Sequence, residues 1–250
     1  MIFIVYSQTM NREDILEVKE LLATPKNIVI TTHRNPDGDA YGSSLALYAF
    51  LLKLGHEAAV ISPNDCPDFL KWMPAVNEIV IYETDLERAD KKLDRADLVF
   101  ALDYNAFHRL GEVMEPKMKE INPVFILIDH HQQPDNFAEF TFSDTSSCST
   151  CQLVYELIEA KGDCELIHPE MGSCIYTGIL TDTGSFRFSS VTSKTHQIAG
   201  DLIQRGVVHS QIHEAIFDVN TPERLTLLGY TLNNKLEVLP EIKTAIISLT

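Results

Sequence analysis

Three short runs of branched apolar residues, each stopping abruptly at acidic or histidine-bearing sequence, constrain this chain most. Residues 28–32 (IVITT) run into His33-Arg-Asn-Pro-Asp37-Gly-Asp39, residues 98–102 (LVFAL) into Asp103, and residues 124–128 (VFILI) into Asp129-His130-His131. Each run has the length and composition of a β-strand. None alternates apolar with polar, which suits strands covered on both faces, as in a parallel sheet. Helical patterns lie between and after them. Residues 12–23 carry an amphipathic spacing that ends before Pro25, and residues 41–54 form an apolar helix closed by Gly55. Residues 150–160, 169–181, 194–205 and 222–236 also read as helices. Alternating strands and helices predict an α/β fold with a doubly wound, mainly parallel sheet. Ligands of such sheets sit beyond the carboxyl ends of the strands, which is where the polar clusters fall.

A chain of 250 residues can bury one large core or two small ones. Its 45% hydrophobic and 22% charged residues are ordinary for a soluble globular protein. No apolar run approaches the roughly 18 residues of a membrane span. The opening MIFIVY is too short for a signal-peptide core and has neither a basic leader nor a cleavage pattern. Five scattered cysteines, an odd number, argue against a disulfide framework and for a reducing, cytoplasmic location. The net charge of −16 opposes an extended grip on duplex nucleic acid. It does not oppose phosphate chemistry, because divalent cations held by clustered carboxylates reverse the local sign.

In the first cluster, Pro36 and Gly38 enforce a tight loop, and Ala40, Gly42 and Ser43 let a helix start close behind it. An imidazole together with carboxylates suits Mn²⁺, Fe²⁺, Co²⁺ or Zn²⁺ better than Mg²⁺ or Ca²⁺. Taken alone, this segment reads equally well as a surface turn with capping aspartates. Asp103 alone would also be a cap, but its place at a strand end could let it bridge two metals about 3.5–4 Å apart. Asp129-His130-His131 is costly to leave unpaired near a core. One histidine can ligate a metal while the aspartate orients it, and the other is then free for phosphate binding or proton transfer. Asp182, where an apolar helix meets a glycine-containing turn, would complete a second ligand set. Cys148-x2-Cys151 has zinc spacing but no second pair, and reads as a loop and first helical turn beside the site. Phe69, Trp72 and Met73 read as core, residues 83–97 as a solvated helix face, and His56, His168, His196, His209 and His213 as surface or helix-end residues.

The motifs HRNPDGDAYGSSLAL, ALDYNAFHRLG, IDHH and GILTDTGSFRF, in this order, resemble those of the DHH phosphoesterase family. The likeness spans about residues 28–190 and continues more weakly over 214–236. It is strongest to the branch that degrades very short oligoribonucleotides and dephosphorylates 3′-phosphoadenosine-5′-phosphate. The resemblance implies a metal-dependent hydrolase with two Mn²⁺ ions, other divalent transition metals fitting the same site. On that pattern His33 and Asp37 hold one ion, Asp39, His130 and Asp182 hold the other, and Asp103 bridges both. His131 contacts the scissile phosphate, Arg109 is a second candidate for that role, and Asp129 belongs to the same catalytic group. Residues 1–190 then form the catalytic domain. Residues 191–250 form a helical linker and the first strand of a C-terminal substrate domain that is truncated or missing. Two features carry that expectation: the family's Gly-rich, His-containing substrate loop is not found, and residues 242–249 read as a strand with nothing left to pair with unless it docks on the existing sheet. The expected partners are a small nucleotide or short oligonucleotide, with no long duplex and no membrane, and a homodimer is compatible with the sequence. Two alternatives stand beside this reading. One is an inorganic pyrophosphatase or exopolyphosphatase of the same family; the other is a non-catalytic, metal-bound nucleotide sensor, which would have no need of six convergent ligands.

Overall fold

The three unbroken apolar runs become the middle of a six-stranded sheet in the computed structural model, which describes residues 11–248. The strands are β1 (Asn27–Thr32), β2 (Glu57–Ser62), β3 (Val80–Ile81), β4 (Leu98–Leu102), β5 (Val124–Asp129) and β6 (Phe140–Ser143). They lie in the order β3-β2-β1-β4-β5-β6, and every neighbouring pair is parallel. The helices are α1 (Arg12–Leu21), α2 (Gly38–Lys53), α3 (Leu86–Leu93), α4 (Gly111–Glu120), α5 (Thr150–Lys161), α6 (Pro169–Asp182), α7 (Ser193–Gln204), α8 (His209–Phe217) and α9 (Pro222–Asn234). This is the doubly wound arrangement expected, with its direction of winding reversing between β1 and β4.

The lack of alternation has the anticipated cause. Val29, Val99, Ala101, Phe125 and Leu127 pack into a core with Ala89 and Leu93 of α3 and Met114 and Met118 of α4. The intervening residues Ile28, Ile30, Phe100, Ile126 and Ile128 are also buried, on the side where α2 and α5 meet the sheet. Helices α2 and α6 cross closely through small residues. A Cβ on Gly42 would stand 2.6 Å from the Cys174 carbonyl oxygen.

Several elements differ from expectation. Helix α2 begins at Gly38, not residue 41, so Asp37 becomes its N-cap and Asp39 lies in its first turn. Strands β2, β3 and β6 and helix α4, which contains Pro116, carry weaker sequence signals. Met73 is buried as expected, but Phe69 and Trp72 are partly exposed and His56 is buried. The segment MIFIVY lies outside the described residues.

The chain divides into two compact units, residues 1–212 and 213–250, so the first continues past residue 190 to include α7. There the Tyr155 hydroxyl of α5 donates to Asp201 of α7 at 2.8 Å. The second unit contains α9 and an antiparallel hairpin of β7 (Leu236–Leu239) and β8 (Thr244–Ile247), with Leu236 opposite Ile247. The strand expected at residues 242–249 is therefore not unpaired: β8 forms a two-stranded sheet with β7. Its partner is β7, whose first residue, Leu236, falls inside the helix expected over 222–236. That helix stops at Asn234, and Leu236-Glu237-Val238 alternates as a strand does. No described helix is long and apolar enough to cross a membrane.

Candidate metal centre

The strand register brings the three polar clusters to one level. Thr32 pairs with Leu102, and Leu102 with Ile128, so the next residues His33, Asp103 and Asp129 stand side by side at the carboxyl edge. This edge is the crevice beside the reversal between β1 and β4. Asp37 and Asp39 enter from the start of α2, and Asp182 from the last residue of α6.

Three of the carboxylates are held by hydrogen bonds from helix starts. Asp37 Oδ1 accepts the Asp39 and Ala40 N–H groups, both at 3.0 Å, so the capping role considered for this segment is real and uses one oxygen only. Asp39 is wholly buried; its Oδ2 accepts the Thr150 N–H at 2.6 Å and its Oδ1 the Cys151 N–H at 2.8 Å. These donors are the free N–H groups of the first turn of α5, whose dipole favours an anion there. Asp103 adopts a left-handed backbone (φ 64°), which aspartate tolerates better than most residues. Its Oδ1 accepts the Thr150 hydroxyl at 2.9 Å.

The histidines close the cluster. His33 Nδ1 lies 2.9 Å from the Arg34 carbonyl, which can only accept, so Nδ1 carries the proton and Nε2 presents a lone pair. That Nε2 is 3.4 Å from Asp103 Oδ2. His130 Nε2 lies 3.3 Å from Asp182 Oδ2, 3.6 Å from Asp103 Oδ1 and 3.8 Å from Asp39 Oδ2. The ligand atoms of His33, Asp37 and Asp103 lie within 4.8 Å of one another, as do those of Asp39, His130 and Asp182, and those of Asp103, His130 and His131. Asp129 does not orient the more enclosed His130. Its Oδ1 meets His131 Nδ1 at 2.7 Å, so the buried carboxylate fixes the ring of the more exposed histidine. Arg109 lies on the turn after Asp103, where its carbonyl accepts the Arg34 N–H at 2.8 Å and its side chain is partly buried.

The electrostatics explain what such a cluster needs. Burial, then the neighbouring Asp103 and Asp37, push the Asp39 carboxyl well above the usual range. Burial, then Asp37 and Asp182, do the same to Asp103. Asp182 is pushed up to about 8, by burial and then by Asp39 and Asp37. It also sits at a helix C-terminus, where the backbone dipole disfavours an anion. Burial and the adjacent His131 lower His130. Among the described residues, the ion-pair partners of Asp39, Asp103 and Asp182 are histidines alone. Four converging carboxylates with two or three imidazoles and no lysine or arginine partner fit divalent transition cations, which would offset this repulsion.

One contributor escaped the sequence reading. Thr150 binds Asp39 through its backbone and Asp103 through its hydroxyl, tying two carboxylates to one helix end. Its only sequence signal is the run Ser146-Ser147-Cys148-Ser149-Thr150 before an apolar helix, in which Ser149 is the N-cap.

A doubly wound α/β domain with a multi-carboxylate, histidine-containing cluster at its switch point defines a class of proteins built to hold divalent cations there. Within that class, residues 27–179 match the DHH family, N-terminal domain, and the chain belongs to that family. It is 34% identical over 218 residues to the bifunctional oligoribonuclease and PAP phosphatase NrnA of Thermus thermophilus, covering 87% of this chain and 62% of the relative. It is 27% identical over 192 residues to the protein of the same name from Bacillus subtilis, covering 76% and 57%. The crystal structure of an exopolyphosphatase-related protein from Bacteroides fragilis superposes with a TM-score of 0.94 at 37% identity, over 97% of this chain and 71% of that one. The chain thus spans about 60% of the length of these two curated relatives.

Proposed function

We propose that this protein is a cytoplasmic, metal-dependent phosphoesterase that hydrolyses short oligoribonucleotides and nucleotides such as 3′-phosphoadenosine-5′-phosphate. The observation that carries this is the position of Asp103, buried between the His33–Asp37 pair and the Asp39–His130–Asp182 group. The activity named for the Thermus and Bacillus relatives supports the substrate class. Free cysteines at five positions fit a reducing compartment.

His33 and Asp37 would hold one Mn²⁺, Asp39, His130 and Asp182 the other, and Asp103 would touch both. When bound, such a pair supplies positive charge to the phosphoryl oxygens and acidifies water near neutral pH. The protein's own groups do the rest. His131, whose Nδ1 meets Asp129 Oδ1 at 2.7 Å, would offer its other ring nitrogen to a phosphoryl oxygen as charge grows. Arg109 is a second candidate for that contact. Thr150 and the α5 N-terminus keep Asp39 and Asp103 aimed, so little rearrangement accompanies substrate binding.

The Bacteroides relative's description as exopolyphosphatase-related favours a second reading, in which inorganic polyphosphate or pyrophosphate is the substrate. One assay separates the readings: product release from pApA, 3′-phosphoadenosine-5′-phosphate, pyrophosphate and polyphosphate, with Mn²⁺ and with chelator. Mn²⁺-dependent turnover of the nucleotides is expected. Turnover of the inorganic substrates alone would replace it with the second reading, and Mn²⁺-dependent nucleotide binding without turnover would mark a sensor. Metal analysis of Asp103→Ala should find both ions lost or greatly weakened; two retained equivalents would refute the shared-ligand role.

A further inference from the structure

Directly after Asp182 the chain makes a left-handed turn, with φ of 54° at Gly184, 64° at Ser185 and 60° at Phe186. Two of these residues carry a Cβ, and for a bulky phenylalanine this backbone region is strongly disfavoured. It persists because several hydrogen bonds hold it. The Ser185 N–H donates to the Leu180 carbonyl at 2.8 Å, and the Phe186 N–H to Thr183 Oγ1 at 2.9 Å. The Arg187 and Phe188 N–H groups share the Thr183 carbonyl at 2.9 and 3.1 Å, and Arg187 Nε donates to the Gly184 carbonyl at 2.5 Å.

The turn sorts its two aromatic residues. Phe186 is half-buried, stacked at 5.5 Å on His196 and edge-on at 5.7 Å to Tyr176. Phe188 goes outward and is 55% exposed. The tip of its ring lies against Gly184: a Cβ built there would stand 2.6 Å from Cζ, 2.8 Å from Cε1 and 3.1 Å from Cε2. That contact places the ring tip over Gly184, two residues after Asp182 of the metal centre, with more than half of Phe188 open to solvent.

We infer that Phe188 is a stacking platform for the nucleobase of the substrate, set beside the centre that takes its phosphate. The inference rests on the phosphoesterase reading above and adds to it what distinguishes a nucleotide from a bare phosphate chain. A protein of net charge −16 gains little from gripping a polyanionic backbone, whereas every base presents an apolar π-face irrespective of sequence. An exposed aromatic ring with a pinned position stacks a base at low cost in side-chain freedom, because the turn has already ordered it.

The test compares two ligands that share a phosphate and differ by the base, 5′-AMP and ribose 5-phosphate, titrated calorimetrically into the Mn²⁺-loaded protein. Wild type should bind 5′-AMP more tightly by about 5- to 150-fold, the range that stacking one base spans. In Phe188→Ala that ratio should fall towards one with ribose 5-phosphate binding unchanged, and Phe188→Tyr should restore it. The exposed position of Phe188 makes an unaltered melting temperature the expected control. An unchanged ratio in Phe188→Ala overturns the platform while leaving the centre intact. Ribose 5-phosphate binding that ignores removal of Mn²⁺ from wild type is a different failure, and overturns the phosphoesterase reading itself.

Discussion

Thr150→Val isolates one hydrogen bond of the metal centre. Thr150 is fully buried, and its hydroxyl donates to Asp103 Oδ1 at 2.9 Å. Valine keeps the branched shape and the backbone N–H that serves Asp39, so only the donor to Asp103 disappears. A buried hydrogen bond to a charged group contributes about 1.5–3 kcal/mol. The Thr150 hydroxyl also favours the ionised form of Asp103, against the burial and neighbouring charges that raise its pKa. Without it, protons compete better for the ligand oxygen and the carboxylate loses its fixed rotamer. Loss of such a supporting contact weakens metal binding by roughly 10- to 100-fold. Calorimetric titration of Mn²⁺ at fixed pH measures this directly, with Thr150→Ser as the partner variant because it retains the hydroxyl. Thr150→Val should show the full loss and Thr150→Ser nearly none. Equal affinity for valine and threonine would refute the reasoning; an equal loss for valine and serine would assign the effect to the methyl group.

Three further outcomes are expected. Asp129→Asn should keep both metals but lower turnover by about 10- to 100-fold, because an amide no longer dictates which nitrogen of His131 carries the proton; metal analysis beside a rate measurement separates the two effects. Gly178→Ala should destabilise the fold by about 1–3 kcal/mol in urea titration, because its Cβ would overlap Cys151 Sγ of α5 and lie 2.6 Å from the buried Asp39 Oδ1 of α2, and near-wild-type stability would show that α6 can shift away from both helices freely. The third concerns pH. With Asp182 raised to about 8, and Asp39 and Asp103 also raised, the metal-free native state holds more protons than the unfolded chain, so its stability falls as pH rises. Melting of chelated protein should therefore drop between about pH 7 and 9, above the range where unfolded histidines titrate, and the stabilisation added by Mn²⁺ should grow over the same interval.

The legible parts of the fold were those whose local chemistry matches their surroundings. Strands β1, β4 and β5 are covered on both faces, and their unbroken apolar runs say so. Strand β3 has only Val80 and Ile81, too short for any period, and α4 starts at a glycine and contains Pro116, both against helix propensity. The hairpin was hidden because the amphipathic pattern of α9 runs into Leu236 without a break in composition. The same distinction applies to the centre. His33, Asp103 and the Asp129-His130-His131 group were readable because each follows a strand and so must reach the carboxyl edge. The Thr150 contacts, and the choice of His131 over His130 as the partner of Asp129, depend on where α5 docks and how two rings turn. No local pattern encodes either.

The order in which the ligands occur along the chain has a consequence for assembly. His33 and Asp182 lie about 150 residues apart, and the proposed ligand set as a whole comes from the ends of three strands and two helices. A fragment holding only the first cluster, or only the histidine pair, holds no centre. Binding energy from the cations therefore reaches only chains that have completed the long-range parallel pairing, which is the slow part of folding such a sheet. Ions at about 1,000 times their dissociation constant would add roughly 4 kcal/mol to the native state while leaving partly folded chains unaided. Ions held by this ligand set would act as a late latch, slowing unfolding more than they speed folding.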